Sequence, residues 1–394
     1  MDTDPVVIVA ARRTPIGSFQ GQFANLTAPE LGAAATAACL ADAGLKGDDV
    51  DEVLMGCVLP AGIGQAPARQ TALKGGVPVG VPCTTINKMC GSGMKAIMQG
   101  YDAIMAGSAG IVLAGGIESM TNAPYLLPKA RGGFRMGHQQ VQDHMFLDAL
   151  EDPNDGELMG FYADATAKKY GFSREDQDAF AIESATRAKR AAEDGSFAAE
   201  IVPVTVKTRK AETTVGEDEG PGRVNIERIP ALRAAFTPDG TVTAASASSI
   251  SDGAAALVLM RASEADRRGI KPLARLSGHS SFAQEARWFT TSPVYAIKAL
   301  HERLGWTPDA VDLYEVNEAF ACVTMAAMHD VGLPHDKVNV NGGACALGHP
   351  VGATGARITT TLIHALRARG LNRGVASLCI GGGEATAIGI EIDI

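Results

Sequence analysis

Apolar runs and amphipathic helical patterns alternate along the first part of the chain. Residues 6–11 form a continuous apolar run, which is typical of a strand buried on both faces. A helix is predicted over residues 28–43, because Pro29 stands in its first turn and Gly44 follows its last turn. Residues 51–58 return to a strand pattern. This βαβ succession predicts a mostly parallel sheet with helices on its faces.

The next two predicted strands enclose the most distinctive stretch of the chain, INKMCGSG. The β-branched residues at 84–86 favour a short strand, and apolar side chains at helical spacing follow the cysteine. A strand over residues 110–114 then ends in Gly115 and Gly116. Cys90 is therefore predicted to lie between a strand and the N-terminus of a helix.

The same order of elements recurs in the second part of the chain. Gly44 and Gly305, which end corresponding predicted helices, are 261 residues apart, and so are Asp51 and Asp312. The second copy continues with a predicted strand, helix and strand at residues 338–340, 354–369 and 375–380. The matching spacing predicts two related halves, packed face to face, that bring their strand ends to one site.

Residues 121–249 break the repeat and are interpreted as an insertion. They contain a charged helix over residues 173–194, whose predicted N-cap is Ser173, and an acidic loop at 217–219. An inserted segment of this length is suited to binding the non-reacting part of a substrate. The predicted domains are an N-terminal half (1–120, completed by 250–270), a loop domain (121–249) and a C-terminal half (271–394).

Composition and charge limit the kinds of protein, partner and compartment that this sequence fits. Hydrophobic residues make up 46% of the chain and charged residues 20%, which is ample for a large core. The net charge of −9 argues against nucleic acid or an anionic membrane as the main partner. Seven cysteines without paired spacing fit a reducing compartment, and neither a transmembrane run nor a basic leader is seen. We expect a cytoplasmic protein without membrane or nucleic-acid partners.

Four glycine-flanked positions at predicted strand ends carry reactive side chains. The helix N-terminus after Cys90 is expected to favour its thiolate. His349 in a GHP segment offers a base for that thiol, and Asn317 follows a strand in VNEAF. Cys379 precedes three glycines and offers a second thiol, which could remove a proton from carbon if its pKa came near neutral. Acyl transfer between thioesters is the chemistry that fits this set best.

Four segments resemble the signature blocks of the thiolases, in order and spacing. They are NKMCGSGMKA (87–96), VNEAFA (316–321), NGGACALGHPVGATGAR (341–357) and CIGGG (379–383). The resemblance covers the whole chain and implies a duplicated five-layer αβαβα fold with an inserted loop domain. It implies transfer of an acetyl group between acyl-CoA thioesters, with coenzyme A as substrate, no cofactor and no metal. It also implies a homotetramer, a dimer of dimers, acting in fatty acid metabolism.

The resemblance also implies roles for individual residues. Cys90 would be the acetylated nucleophile, His349 its base, and Cys379 the acid and base at the α-carbon of the second acetyl group. Asn317, through a water, would form one oxyanion hole with His349, and the backbone N–H groups of Cys90 and Gly381 would form the other. The residues implied to line the pantetheine and acyl region are Leu158, Met159, Ser248, Ala319 and Phe320.

Departures from the usual blocks leave the catalytic groups in place. Leu158 stands where short-chain members usually carry His, Cys345 replaces a usual Ile and is interpreted as a core residue, and Glu384 follows the last glycine run.

The favoured function is acetyl-CoA C-acetyltransferase, and a degradative 3-ketoacyl-CoA thiolase of broader chain length is the alternative. A decarboxylating ketosynthase is disfavoured by Cys379, and a non-catalytic acyl-CoA binding protein by the intact Cys90 and His349. A dinucleotide-binding reading of GSGMKA has no support in the second half.

Overall fold

The structure, a computed structural model, describes residues 4–208 and 211–392. Its strands are β1 (Val6–Arg13), β2 (Gly17–Ser18), β3 (Glu52–Gly56), β4 (Cys83–Ile86), β5 (Ile111–Ser119), β6 (Tyr125–Leu126), β7 (Gln142–Asp143), β8 (Val204–Lys207), β9 (Glu212–Val215), β10 (Ser251–Arg261), β11 (Ala274–Ala283), β12 (Leu313–Val316), β13 (Arg373–Ile380) and β14 (Glu384–Glu391). Its α-helices are α1 (Ala28–Asp42), α2 (Pro67–Lys74), α3 (Ser92–Ala106), α4 (Met159–Tyr170), α5 (Arg174–Glu193), α6 (Glu219–Arg223), α7 (Ala262–Arg268), α8 (Ser292–Leu304), α9 (Ala321–Val331), α10 (Ala344–Leu347) and α11 (Val351–Arg369).

The strands of the two halves follow the same order. In the first half the order is β4, β3, β5, β10 and β1, and in the second half β12, β13, β14 and β11 follow a single bridge between Tyr314 and Val338. The halves meet edge to edge where Val7 and Ile8 of β1 pair with β11. Both copies therefore share one topology, as the sequence repeat predicts.

Two aspartates show the duplication at atomic level. A carboxylate oxygen of Asp51 accepts the N–H groups of Gly110 and Ile111, both at 2.8 Å. Asp312 accepts the two N–H groups that begin the corresponding strand β13, at 2.9 and 2.8 Å. Each carboxylate fixes the start of the neighbouring parallel strand. The 261-residue spacing therefore reflects the same local geometry in both halves of the chain.

Helices α3 and α11 lie between the two half-sheets. Helix α3 contacts β3, β5 and β10 on one side and β14 on the other, while α11 contacts β5 and β10 as well as β12 and β13. A Cβ on Gly355 would lie 2.3 Å from the backbone nitrogen of Met94, so the two helix backbones touch where both begin. Helices α1 and α2 cover the first half-sheet, and α8 covers the second. This confirms the predicted five-layer αβαβα fold.

The sheet is mixed, so the prediction of a mostly parallel sheet is wrong. Only the pairs β3–β4, β3–β5 and β12–β13 are parallel in the described chain, and the other pairs are antiparallel. The turn of three glycines between β13 and β14 is too short for a crossover, and a short turn permits only antiparallel pairing. Strand β5 also continues through Gly115 and Gly116 to Ser119.

Residues 338–340 do not form the predicted strand beyond the one bridge. Asn339 has a φ of +48°, which breaks extended backbone. Its side chain replaces a neighbouring strand, because its amide oxygen accepts the Val316 N–H at 2.9 Å and its amide nitrogen donates to the Val316 carbonyl at 2.8 Å. The end of β12, where Asn317 follows, is therefore fixed by a side chain.

The inserted segment is attached to the first half through a buried arginine. The Arg13 guanidinium donates to Glu200 at 2.5 Å and to both oxygens of Asp218 at 2.7 and 2.9 Å. Glu219 accepts the backbone N–H groups of Ser18 and Gln22. The acidic loop noted in the sequence thus anchors the insertion to the β1–β2 region. The predicted helix capped by Ser173 is confirmed as α5, with the Ser173 hydroxyl accepting from the Asp176 N–H.

Candidate active site

Cys90 lies on a tight turn that joins β4 to α3. Met89 has a φ of +48°, a conformation that non-glycine residues seldom adopt and that is often found at functional sites. The Ser92 hydroxyl accepts the Lys88 N–H at 2.9 Å and donates to the Met89 carbonyl at 2.6 Å, which closes the turn. The backbone N–H groups of Gly381 and Cys90 lie near the Cys90 sulfur and act to lower its pKa. This turn places the thiol beside a loop of the other half.

The Cys90 side chain does not rest as the thiolate that the helix N-terminus led us to expect. Burial raises its pKa to about 11, and the two N–H groups at its sulfur only partly oppose this effect. The negative charge of Glu118 raises the pKa further. In the substrate-free protein Cys90 is therefore a neutral thiol that needs a base to become a nucleophile.

His349 supplies that base from the turn before α11. Its backbone N–H donates to the Ser249 carbonyl at 3.1 Å, and its Nδ1 lies 2.6 Å from the Thr354 hydroxyl. Its Nε2 is buried without a hydrogen-bond partner in the described part of the chain. Burial, reinforced by the charge of Arg357, lowers the pKa of His349 to about 3, so the imidazole is neutral at neutral pH.

Asn317 and Cys379 follow β12 and end β13, which are neighbouring parallel strands. The Asn317 side chain is 1% exposed, and neither its amide nitrogen nor its amide oxygen has a partner among the described residues. Cys379 is fully buried in an apolar cluster that includes Phe320, with Met159 packed against it. Burial raises the Cys379 pKa well above its ordinary value, so this side chain is a neutral thiol in the substrate-free protein.

One apolar cavity of about 240 Å³ brings most of the predicted site residues together. The predicted residues that line it are Cys90, Leu158, Met159, Ser248, Ala319, Phe320, His349 and Gly381. Asn317 and Cys379 are not among its lining residues. The thiol and the imidazole thus line the same apolar space, which suits proton transfer between them.

The sequence interpretation missed much of the cavity wall. The missed lining residues are Phe146, Ala149, Leu150, Gly160, Phe236, Ala247, Ile250, Phe289 and Val351. Three of them belong to a π-helical turn, Phe146–Leu150, a rare element that is frequent at functional sites. No single periodic pattern marks these residues, because they come from separate segments that only the fold brings together.

A second cavity of about 500 Å³ opens beside the first, between the insertion and the second half. Ser249 lines it, next to Ser248 of the apolar cavity, and so do the side chains of Arg223 and Arg228. Cys345 also lines this cavity and is half-buried, so its assignment to the core is wrong. The two arginines carry the positive charge that a phosphorylated ligand requires. The sequence pattern of this region indicates only an acidic loop and does not mark the arginines.

Lys88 and Glu384 form an ion pair between the turn that carries Cys90 and the start of β14. Both side chains are partly exposed, with 24% and 37% of their surface accessible. The pair therefore joins the two halves at the rim of the site, and Glu384 does not line the apolar cavity.

A duplicated five-layer fold with two cysteines and a histidine at its centre is the architecture of a thiolase. The models of the thiolase N-terminal and C-terminal domains match residues 6–263 and 270–392, so the chain belongs to the thiolase family. The acetyl-CoA acetyltransferases of Chromobacterium violaceum and Pseudomonas aeruginosa are each 47% identical to this chain, over 98% of it and 99% of their own length. The crystal structure of the Bacillus anthracis acetyl-CoA acetyltransferase matches with a TM-score of 0.96 at 41% identity and covers 98% of both chains.

Two properties of the described residues complete the description. No helix within residues 4–208 and 211–392 is long and apolar enough to cross a membrane. Within the same residues, no group of three or more His, Cys, Asp or Glu side chains is placed to hold a metal ion.

Proposed function

We propose that the protein is an acyltransferase that catalyses the reversible condensation of two acetyl-CoA molecules to acetoacetyl-CoA and coenzyme A. The observation that carries this proposal is the apolar cavity that Cys90 and His349 share, with the unpartnered Nε2 of His349 as the available base. The names of the relatives favour acetyl transfer over a thiolase of broader chain length.

The first half-reaction transfers an acetyl group to Cys90. His349 takes the proton from the thiol at Nε2, the sulfur attacks the thioester carbonyl, and the carbon–sulfur bond to coenzyme A breaks. The departing coenzyme A thiolate receives the proton from His349. The N–H groups of Cys90 and Gly381 lie at the reacting sulfur, which supports a role for both in stabilising the oxyanion.

The second half-reaction forms a carbon–carbon bond. Nε2 of His349 takes the thiol proton of Cys379, and the Cys379 thiolate then removes a proton from the α-carbon of a second acetyl-CoA. The resulting enolate attacks the acetyl group on Cys90, and the Cys90 sulfur leaves and takes its proton from Nε2 of His349. Asn317 and His349 would stabilise the enolate oxygen, and the unpartnered amide of Asn317 supports this assignment because a buried amide without a partner favours an additional polar ligand.

Coenzyme A would enter through the second cavity and would be a substrate, with no resident cofactor. Arg223 and Arg228 would bind its phosphates, and the serine pair would lie where pantetheine passes from one cavity to the other. In this proposal residues 121–249 act as the loop domain over the coenzyme A site, between halves formed by 1–120 with 250–270 and by 271–394.

The proposal extends to assembly and place in the cell. Several apolar side chains of the segment around β6 and β7 are exposed in the single chain, and they are Tyr125, Leu127, Phe134, Met136 and Val141. A contiguous set of this kind supports an interface between subunits, here of a homotetramer built as a dimer of dimers. Light scattering should give four times the 40.8 kDa mass of the chain, and a monomer at micromolar concentration would refute this part. A cytoplasmic role in fatty acid metabolism stays a prediction.

The central test is thiolysis of acetoacetyl-CoA by coenzyme A. We expect activity in the unaltered protein, and we expect Cys90→Ser to lose at least ~10³-fold in kcat because a hydroxyl is a far weaker nucleophile than a thiolate. Cys83→Ser is the matched control, since Cys83 is half-buried seven residues earlier in β4. Absence of thiolysis in the unaltered protein, or equal loss in both variants, would refute the proposed function.

A further inference from the structure

The ring of His349 is held by a hydroxyl, where many catalytic histidines are held by a carboxylate. Its Nδ1 lies 2.6 Å from the Oγ1 of Thr354, a side chain with no exposed surface. The same hydroxyl lies 3.0 Å from the carbonyl oxygen of Pro350, one helical turn back. No carboxylate of the described chain forms a hydrogen bond with this ring, and the nearby charge that acts on it is that of Arg357.

The proposed function asks His349 for two different states at Nε2. As a base toward Cys90 it must present a lone pair at Nε2, whereas as a partner of an oxyanion it must present an N–H there. With its proton on Nδ1, the neutral imidazole provides the lone pair at Nε2, and the imidazolium formed when Nε2 takes up a proton provides the N–H there. Whatever binds Nδ1 therefore has to accept the same Nδ1–H in both states.

A hydroxyl meets this requirement without placing a negative charge beside the ring. An ionised carboxylate would also accept the Nδ1–H, but its charge would favour the imidazolium over the neutral base. With Thr354, Nδ1–H donates to Oγ1 while the hydroxyl donates to the Pro350 carbonyl, so the ring keeps its Nδ1 proton and Nε2 keeps its lone pair until it takes up a proton.

We propose that Thr354 is a positioning residue that accepts the Nδ1–H of His349 and so leaves Nε2 to alternate between base and N–H donor. The inference rests on the proposed function and deepens it. No proton passes to Thr354 itself. The proton from the Cys90 thiol goes to Nε2 and then to the leaving coenzyme A, while Oγ1 accepts the Nδ1–H of the imidazolium.

A purely structural role for Thr354 can be separated by a second threonine on the same helix. Thr359 is equally buried, and its Oγ1 donates to the carbonyl of Gly355 at 2.8 Å, just as Thr354 donates one turn back. Its hydroxyl forms no hydrogen bond with a catalytic group in the described residues. Thr359→Val therefore reproduces the loss of a helix back-bond without touching His349.

The experiment compares three variants in acetoacetyl-CoA thiolysis and in alkylation of Cys90 by iodoacetamide. In Thr354→Val we expect kcat and the alkylation rate to fall together by ~10-fold to 10²-fold, the usual loss for a hydrogen bond to a group that becomes charged. KM should stay within ~2-fold, because Nδ1 faces away from the substrate. Thr354→Ser should restore both rates, and Thr359→Val should leave them unchanged.

Specific results would overturn the inference. It fails if Thr354→Val keeps kcat within ~3-fold of the unaltered protein, if Thr359→Val loses as much, or if Thr354→Ser does not recover. Should circular dichroism show that Thr354→Val is unfolded, Thr354→Ala takes its place, since it removes the hydroxyl without adding a methyl beside Nδ1. An inactive unaltered protein would instead refute the proposed function, so the two failures are distinguishable.

Discussion

Glu118, at the end of β5, should make the stability of this protein depend on pH in a definite direction. The carboxylate is fully buried and accepts N–H groups of Val58 and Leu59 at 3.1 Å and of Gly352, in the first turn of α11, at 2.8 Å. Burial nevertheless outweighs these hydrogen bonds and raises the pKa of Glu118 from its ordinary 4.5 to about 7. The change Glu118→Gln keeps the shape and removes the titration.

The magnitude follows from the difference between the folded and unfolded pKa of Glu118. A rise from 4.5 to about 7 corresponds to about 3 kcal/mol. Because the folded pKa is the higher one, this stabilisation is fully present below pH 4.5 and is lost as the pH rises through 7. Relative to the unaltered protein, Glu118→Gln should therefore gain about 3 kcal/mol in free energy of unfolding between pH 5 and pH 8.

Urea unfolding followed by tryptophan fluorescence measures this gain, at one protein concentration because subunit association adds to apparent stability. Asp51→Asn is the matched control, since it removes an exposed carboxylate that caps the other end of β5. Alkylation gives a second readout. The charge of Glu118 raises the Cys90 pKa, so Glu118→Gln should speed alkylation of Cys90 at pH 8 more than at pH 5. Parallel pH profiles for Glu118→Gln and the unaltered protein would refute the reasoning.

Three further changes test the roles assigned to other residues. Cys379→Ala should retain exchange of labelled coenzyme A into acetyl-CoA but lose ~10²-fold to 10⁴-fold in condensation, and equal loss of both activities would contradict the assignment. Arg228→Gln should raise KM for coenzyme A by ~3-fold to 10-fold with kcat nearly constant, and a lower kcat at unchanged KM would argue against phosphate binding. Glu384→Gln should lower kcat/KM by less than ~5-fold, because the ion pair with Lys88 is partly exposed. The double variant Lys88→Glu with Glu384→Lys, which exchanges the two charges, should recover this loss in kcat/KM. A much larger effect would point to a direct catalytic part for Glu384.

The local sequence determines the elements that carry the site. The turn residues around Cys90, the capping of α5 by Ser173 and the glycines that end α1 and α8 are short-range signals, and each appears in the structure where its pattern predicts it. The duplication is also visible in the sequence. The two aspartates 261 residues apart make the same hydrogen bonds in both halves, because each precedes one strand and accepts N–H groups at the start of its parallel neighbour.

The direction of the strands and the state of the cysteines depend on contacts that no local pattern contains. Antiparallel pairing of β5 with β10 joins segments more than 130 residues apart, so the apolar runs alone cannot reveal it. A helix N-terminus by itself favours a thiolate at Cys90, yet burial between the two halves outweighs it and gives a neutral thiol beside a neutral imidazole.

The walls of the site were likewise decided by tertiary structure. Phe146 and Phe236 of the insertion and Phe289 of the second half come from short segments of no regular period, and only the fold brings them to the cavity that Cys90 lines. The partner of His349 shows the same division. The sequence alone places a threonine five residues after the histidine. Its hydroxyl reaches Nδ1 only because α11 begins directly after His349, so that the first helical turn brings Thr354 next to the imidazole ring.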